Sequence, residues 1–249
     1  MKVLLLPGGS SRLGMVCLTL LSLISGHSPS TAESFGDFTY ELLADGGISI
    51  VDYPEDATGD VTIPNEIQGQ SVIRIENEAF ASCRSLESIT MPESITSIGE
   101  RAFNQCFSLS NVDISNKVTT IGSGAFTSCN SLTNLVIPQG VSEIKESTFF
   151  HCERLIDVTI PEGVLSIGPE AFFHCLRLKS IEIQETVTSI GPSAFNECIV
   201  LAAVSIPSGV RSIEENVFGR CSRLKSVTIP NGVTSIGMGI LRVICWLLR

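Results

Sequence analysis

Seven of the nine cysteines in this 249-residue chain recur at a fixed interval, and no other feature restricts the fold as strongly. They are 23 residues apart, and a phenylalanine stands three positions before each one: Phe80 and Cys83, Phe103 and Cys106, Phe126 and Cys129, Phe149 and Cys152, Phe172 and Cys175, Phe195 and Cys198, Phe218 and Cys221. A fixed period of about 20 to 50 residues is typical of stacked supersecondary units, none of which buries its apolar face alone. The sequence therefore predicts a solenoid whose function lies on a surface rather than in a pocket.

Alignment of the chain on itself at 23 residues shows two further apolar patterns. The first, L-x-x-I-x-I, places apolar side chains two residues apart on one face, which predicts one short strand per coil. The second, V-x-x-I-G-x-x-A-F-x-x-C, predicts a second short extended piece, a turn and a short helical turn with Pro169 or Pro192 at its first position. We expect the glycines of this pattern to adopt positive φ in the turn: Gly99, Gly122, Gly168, Gly191 and Gly237.

These columns resemble a known repeat family. The run L-x-S-I-x-I-P-x-x-V-x-S-I-G-x-x-A-F-x-x-C, readable from Leu155 through Cys175, is similar to the BspA-type leucine-rich repeat. The resemblance covers about residues 61–237 without an insertion between the seven Phe–Cys units. It implies a right-handed leucine-rich-repeat solenoid found on secreted or cell-surface proteins, several of them adhesins or binding scaffolds, and it implies no chemistry.

The segments outside the repeats have their own patterns. Residues 1–32 contain an apolar run followed by small residues, which predicts a signal peptide; the run is shorter than the about 20 residues that a membrane anchor needs, which is the alternative. Residues 33–60 alternate apolar and polar side chains around Asp45-Gly46-Gly47, which predicts a β-hairpin that caps the solenoid of residues 61–237. Residues 238–249 form an atypical apolar tail, either a cap or the mark of a truncated longer array.

The spacing of the repeat cysteines argues against disulfides. Neighbouring coils place them on parallel Cβ vectors about 4.8 Å apart, whereas a disulfide needs Cβ atoms about 3.8 Å apart that face each other. We therefore expect free, buried thiols. No C-x-x-C pair suggests a zinc or redox site.

Candidate chemistry is confined to one polar column. The sequence contains none of the common nucleophile-elbow, dinucleotide-binding, P-loop or zincin motifs. His151, His174 and Glu197 occupy the position before cysteine in successive repeats, so they are candidates for a weak metal-binding or pH-responsive ladder. Ser82, Gln105, Ser128 and Arg220 in the same column favour the alternative, a position that tolerates any polar surface residue.

Charge is distributed unevenly along the chain. Residues 33–140 hold 15 acidic and 4 basic residues, whereas residues 141–249 hold 11 acidic and 10 basic ones. The acidic part disfavours nucleic acid and anionic membranes as partners. The second part has a basic stripe, which is a candidate surface for an acidic partner or a polysaccharide: Arg154, Arg177, Lys179, Arg223 and Lys225. Asn111, Asn134 and Asp157 on the polar face of the strands are the second candidate surface.

The sequence thus predicts a secreted or cell-surface, non-enzymatic binding scaffold without a cofactor. The expected partner is a protein or another cell-surface ligand, and we expect no transmembrane segment in the mature chain. A structural spacer, or a fragment of a longer surface protein, is the first alternative. A weak metal-binding protein or an enzyme that uses His151 and His174 is the second.

Overall fold

The computed structural model describes residues 32–239, which belong to one compact unit and contain strands and turns but no helix. The predicted signal peptide, apart from residue 32, and the predicted tail, apart from residues 238 and 239, lie outside the described residues. The strands are β1 (Glu33–Phe35), β2 (Phe38–Leu42), β3 (Ile48–Asp52), β4 (Thr58–Thr62), β5 (Glu66–Ile67), β6 (Gln70–Ile75), β7 (Ser85–Thr90), β8 (Ser97–Ile98), β9 (Asn111–Asp113), β10 (Thr120–Ile121), β11 (Asn134–Val136), β12 (Glu143–Ile144), β13 (Asp157–Thr159), β14 (Ser166–Ile167), β15 (Ser189–Ile190), β16 (Ala203–Ser205), β17 (Ser212–Ile213), β18 (Ser226–Thr228) and β19 (Ser235–Ile236).

The repeats stack as a parallel β-solenoid, as predicted. Strands of the L-x-x-I-x-I pattern pair in parallel with a 23-residue offset, for example Asn134 with Asp157 between β11 and β13. The predicted second extended piece is a column of two-residue strands with the same offset, for example Ile167 with Ile190 between β14 and β15. One expected strand is missing: residues 180–182 make no ladder, although Ile181 in their middle is buried.

Backbone hydrogen bonds join the coils in opposite directions on two sides of the solenoid. On the side of the short strands the amides donate backwards, as from Gly122 to the Ile98 carbonyl oxygen at 2.9 Å. On the side of the Ala-Phe turns they donate forwards, as from Phe103 to the Ala125 carbonyl oxygen at 2.8 Å. Many amides and carbonyls of each coil are therefore satisfied by its two neighbours, and others by turns within the coil, as buried backbone requires.

The core is a set of stacked ladders. All seven repeat phenylalanines are fully buried, and consecutive rings stack nearly parallel with centroids 5.1 to 5.7 Å apart. The isoleucine, leucine and cysteine columns are part of the same core, apart from Ile236 of the last coil, which is exposed. Because each ring contacts the ring of the next coil, apolar burial is obtained between coils rather than within one.

The segment around each phenylalanine is a pair of tight turns, so the predicted short helical turn is wrong. Arg101 and Gln105, two residues on either side of Phe103, have φ of 52° and 62°, and the same two positions are left-handed in the other repeats. A left-handed residue cannot continue a right-handed helix. Hydrogen bonds from the Asn104 amide to Arg101 and from the Cys106 amide to Phe103 close one turn after the other.

The repeat glycines have a different role from the one that the sequence predicts. None of Gly99, Gly122, Gly168, Gly191 and Gly237 has positive φ. A Cβ atom at any of them would instead lie less than 3.0 Å from backbone atoms of the preceding coil. Glycine is therefore used here because two backbones approach closely, which is its second common use.

Two coils show what a side chain does in this glycine column. Lys145 and Glu214 take the glycine position, and Thr148 and Val217 replace the alanine three residues later. In these two coils the phenylalanine rings lie 5.7 and 5.6 Å from the preceding ring, whereas the other four spacings are 5.1 to 5.3 Å. Bulkier residues at these positions thus coincide with a wider separation of the coils.

Three antiparallel strands precede the repeats. Strand β2 pairs antiparallel with β1 and, across the Asp45–Gly47 turn, with β3. Strand β3 in turn pairs in parallel with β6 of the first coil. Tyr40, Ile48 and Ile50 of this region are buried. That the hairpin acts as a cap stays a prediction. After Thr62, β5 and the start of β6 pair as a small second hairpin, which was not predicted from the sequence.

The seven repeat cysteines are free and buried, as predicted. Each thiol from Cys106 to Cys221 donates a hydrogen bond of 3.1 to 3.3 Å to the carbonyl oxygen of the phenylalanine 26 residues earlier, and Cys83 donates to Pro54. Cysteine is thus both a small core residue and a donor to that carbonyl. Burial raises the pKa of the Cys152 thiol to about 12 and that of the Cys83 thiol to about 11.

The first prediction concerns the glycine column. We expect Gly122→Ala to lower the free energy of unfolding by about 1 to 3 kcal/mol, because the new methyl group forces two backbones apart. Lys145→Ala is the matched control in the same column and should change stability by no more than about 0.5 kcal/mol. Urea unfolding monitored by circular dichroism measures both. Equal stability of wild type and Gly122→Ala would contradict a close-approach role.

The second prediction concerns the thiols. In the folded protein at pH 8, a thiol with a pKa of about 12 is ionised in only about one molecule in 10⁴, so a thiolate-selective reagent should leave the repeat cysteines unmodified. After unfolding without reductant, the mature chain should present eight thiols, namely the seven repeat cysteines and Cys245. Disulfides between consecutive repeat cysteines in mass spectra would show that the ladder is not free.

Candidate functional site

The basic stripe lies just after the repeat cysteines, at the start of the segments with the L-x-x-I-x-I pattern. Arg154, Arg177 and Arg223 occupy the position before the buried leucine, and Lys179 and Lys225 the position after it; all five are exposed. The backbone holds them in register, since the amide of Lys225 donates to the Ala202 carbonyl oxygen at 2.8 Å. None of the four ion pairs within residues 32–239 involves these five side chains. Their charges are therefore directed at solvent.

The polar strand face is also exposed. Asn111, Asn134 and Asp157 begin the neighbouring strands β9, β11 and β13, and all three are exposed. Asn134 and Asp157 are direct partners in the parallel ladder. The face is hydrogen-bonding rather than apolar at these positions, with the exposed Val136 as a neighbour on β11.

The histidine column forms a stacked pair. His151 and His174 have φ of 58° and 59°, and their amides donate to carbonyl oxygens of the next coil at 2.8 Å. Their rings are half-buried and lie with centroids 4.2 Å apart. Burial, and then the neighbouring His174, lower the pKa of His151, which favours its neutral form.

Glu197 is the hydrogen-bond partner of His174. Its Oε2 atom accepts a 2.5 Å hydrogen bond from His174 Nδ1, and its Oε1 atom accepts one from Arg220 Nη1. These hydrogen bonds lower the pKa of Glu197, first through His174 and then through Arg220. Both carboxylate oxygens are thus engaged, and Glu197 orients His174.

Glu153 is the carboxylate that the structure brings to the two histidines. One ligand atom from each of His151, Glu153 and His174 lies within 4.8 Å of the others, and all three residues are half-buried. Glu153 is not among the residues predicted from the sequence, because it lies outside the column that holds His151, His174 and Glu197. The Glu153 amide donates a hydrogen bond to the His151 carbonyl oxygen at 2.9 Å, which closes a tight backbone turn between the two residues.

An aromatic pair beside the histidines was also missed. Phe150 and Phe173 are half-buried outside the core, and their rings stack with centroids 5.0 Å apart. Phe150 also lies 4.5 Å from the His151 ring, between centroids. The signal for this cluster is the tetrapeptide Phe-Phe-His-Cys, which occurs at 149–152 and again at 172–175.

Comparison with protein families identifies the repeat. The model for the BspA type leucine rich repeat region matches residues 58–176 and 143–245, with six copies. No curated protein sequence is significantly similar to the chain. Within residues 32–239 we find no helix of the length and hydropathy that a membrane crossing requires.

Two crystal structures of bacterial proteins resemble the chain over most of its length. A leucine-rich repeat protein of T. pallidum is 25% identical, with a TM-score of 0.59, and the match covers 88% of this chain and 97% of that one. A leucine-rich cell surface protein of Faecalibacterium prausnitzii A2-165 is 27% identical, with a TM-score of 0.61, and the match covers 87% and 74%.

Proposed function

Because the chain belongs to the BspA-type leucine-rich repeat family, whose solenoids are repeat scaffolds, we propose that it is a secreted or cell-surface protein that binds an acidic ligand through its basic stripe. The surface location is supported by the F. prausnitzii relative, which is described as a cell surface protein. It is supported also by the signal peptide that residues 1–32 predict.

A binding role agrees with the state of the reactive groups. The repeat thiols are buried, and their pKa values are raised by burial, so they are poor nucleophiles. The repeat phenylalanines, isoleucines and leucines are committed to the core. What remains for function is the surface, and we therefore propose a non-enzymatic scaffold.

The observation that carries the proposal is the exposure of five basic side chains within 72 residues of a chain whose net charge is −10. Because consecutive coils are about 4.8 Å apart, Arg154 and Arg177 start from neighbouring backbone positions of one column, and Arg223 extends the column two coils further. Arginine forms bidentate hydrogen bonds with carboxylates and sulfates, which lysine does not. The stripe thus fits an extended polyanionic ligand.

The acidic residues of the first coils should restrict where an anionic ligand binds. Residues 33–140 carry 15 acidic and 4 basic residues, so they repel the ligand that the stripe attracts. Complementary and repulsive surfaces on one protein fix the register of a charged partner and increase its association rate. We therefore place the ligand over the second half of the solenoid.

The third prediction tests the stripe with two defined probes, immobilised polyglutamate and immobilised heparin. Simultaneous replacement Arg154→Glu, Arg177→Glu and Arg223→Glu should abolish retention of the protein on the probe that mimics its ligand. Retention of the wild type should fall as salt rises, because the Debye length is already about 8 Å at physiological ionic strength. Melting should change little, because exposed charges contribute about 0 to 1 kcal/mol.

The control carries the same change of charge elsewhere. Arg101, Lys117 and Arg211 are also exposed, and their joint reversal to glutamate alters the net charge equally. This variant should keep most of the retention. Equal loss in both triple variants would mean that only net charge matters, and wild-type retention on neither probe would reject the acidic ligand and favour a structural spacer.

A further inference from the structure

The cluster of His151, Glu153 and His174 has the composition of a transition-metal site. Two imidazoles and one carboxylate are a frequent ligand set for Zn²⁺, and hard cations such as Ca²⁺ select oxygen ligands only. The three ligand atoms lie within 4.8 Å of one another. Tetrahedral Zn²⁺ with bonds of about 2.1 Å separates its ligand atoms by about 3.4 Å, so the three ligand atoms must approach one another by at most about 1.4 Å to close the site.

The hydrogen bonds behind His174 are of the kind that orients histidine ligands of zinc. Histidine ligands of zinc commonly donate their other ring N–H to a carboxylate, which fixes the tautomer and the ring orientation. His174 Nδ1 donates to Glu197 at 2.5 Å, so Nε2 is the ring nitrogen with a free lone pair. Arg220 on the next coil holds the second oxygen of Glu197 and keeps the carboxylate in place.

The backbone and the neighbouring rings hold both histidines. The His151 amide donates to the Phe173 carbonyl oxygen and the His174 amide to the Asn196 carbonyl oxygen, each on the following coil and each at 2.8 Å. The Phe150 and Phe173 rings stack beside the imidazoles, with centroids 4.5 Å apart for Phe150 and His151 and 6.0 Å for His151 and Phe173. Rigid positioning of ligands lowers the cost of ordering them on binding.

We propose that His151, His174 and Glu153 bind one Zn²⁺ ion, with Glu197 and Arg220 as the positioning pair behind His174. Three protein ligands leave the fourth tetrahedral position to water or to a group of a bound partner. The site does not depend on the basic stripe or on an acidic ligand. It replaces the ladder that the sequence suggested, since Glu197 supports a ligand and Glu153 is the carboxylate that binds.

The fourth prediction is a Zn²⁺ titration of the full chain in competition with a chromogenic chelator. We expect one ion per chain. His151→Asn should reduce the affinity more than about 100-fold, and Asn is chosen because it tolerates the left-handed backbone at this position. Glu197→Gln should lower the affinity about 10- to 100-fold, the range found when a group that hydrogen-bonds a metal ligand is changed. Glu153→Gln, which keeps the size of the side chain, tests the carboxylate without a backbone effect.

Two controls make the test decisive. Ser128→Asn alters the same left-handed column one coil before His151 and should leave the affinity unchanged. With Co²⁺ as the probe, the spectrum should lack a thiolate charge-transfer band, because the repeat cysteines are buried.

Each contrary result overturns the proposal. A chain that fails to compete with the chelator has no such site. Affinity that survives His151→Asn and Glu153→Gln, with unchanged circular dichroism, places the ion elsewhere. A thiolate band assigns the metal to cysteine, and an equal loss with Ser128→Asn shows that the column acts through the fold alone.

Discussion

The constant 23-residue register of backbone hydrogen bonds between coils is the constraint on which the rest of this structure depends. A single coil cannot satisfy all of its own amides, because some of them donate to the preceding coil on the short-strand side and others to the following coil on the turn side. One residue inserted within a paired strand or turn would move the neighbouring side chains out of their columns, whereas the hairpin of β5 and β6 is a loop after which β6 pairs in register with β8. The equal length of the seven Phe–Cys units keeps the phenylalanine, cysteine and leucine ladders aligned along the stack.

Much of this could be read from the sequence, because stacking turns a linear period into spatial columns. The buried phenylalanines, the free thiols and both strand columns follow from the period and the alternation of apolar residues. The glycines were misinterpreted, since a sequence shows that a side chain is absent but not whether φ or a neighbouring backbone requires it. The helical turn was wrong because two left-handed residues in each coil, most of them not glycine, carry no clear sequence signal.

The site could be predicted only along the stack. The sequence places His151, His174 and Glu197 on successive coils, and the structure keeps them there. Which neighbouring residue each side chain contacts depends on side-chain torsion angles, and an alignment of the repeats does not determine these angles. Glu197 points to Arg220 and His174, and Glu153 approaches the histidines from two residues along the same coil. Lateral contacts of this kind are what a repeat alignment omits, and they decide the chemistry.

The proposed Zn²⁺ site and the basic stripe lie on the same coils, so a bound metal would alter the charge next to the stripe. Arg154 and Arg177 follow His151 and His174 by three residues, a distance of at most about 10 Å along the chain. Without a metal, Glu153, the residue before Arg154, carries a negative charge, and Glu197 carries another on the coil after Arg177. A Zn²⁺ ion bound at the site offsets these two negative charges, and the separation is comparable to the Debye length of about 8 Å, so the effect on the arginines is weakened by salt but not removed. On a solenoid whose core fixes every apolar column, such polar columns are where a new function can be added without disturbing the fold.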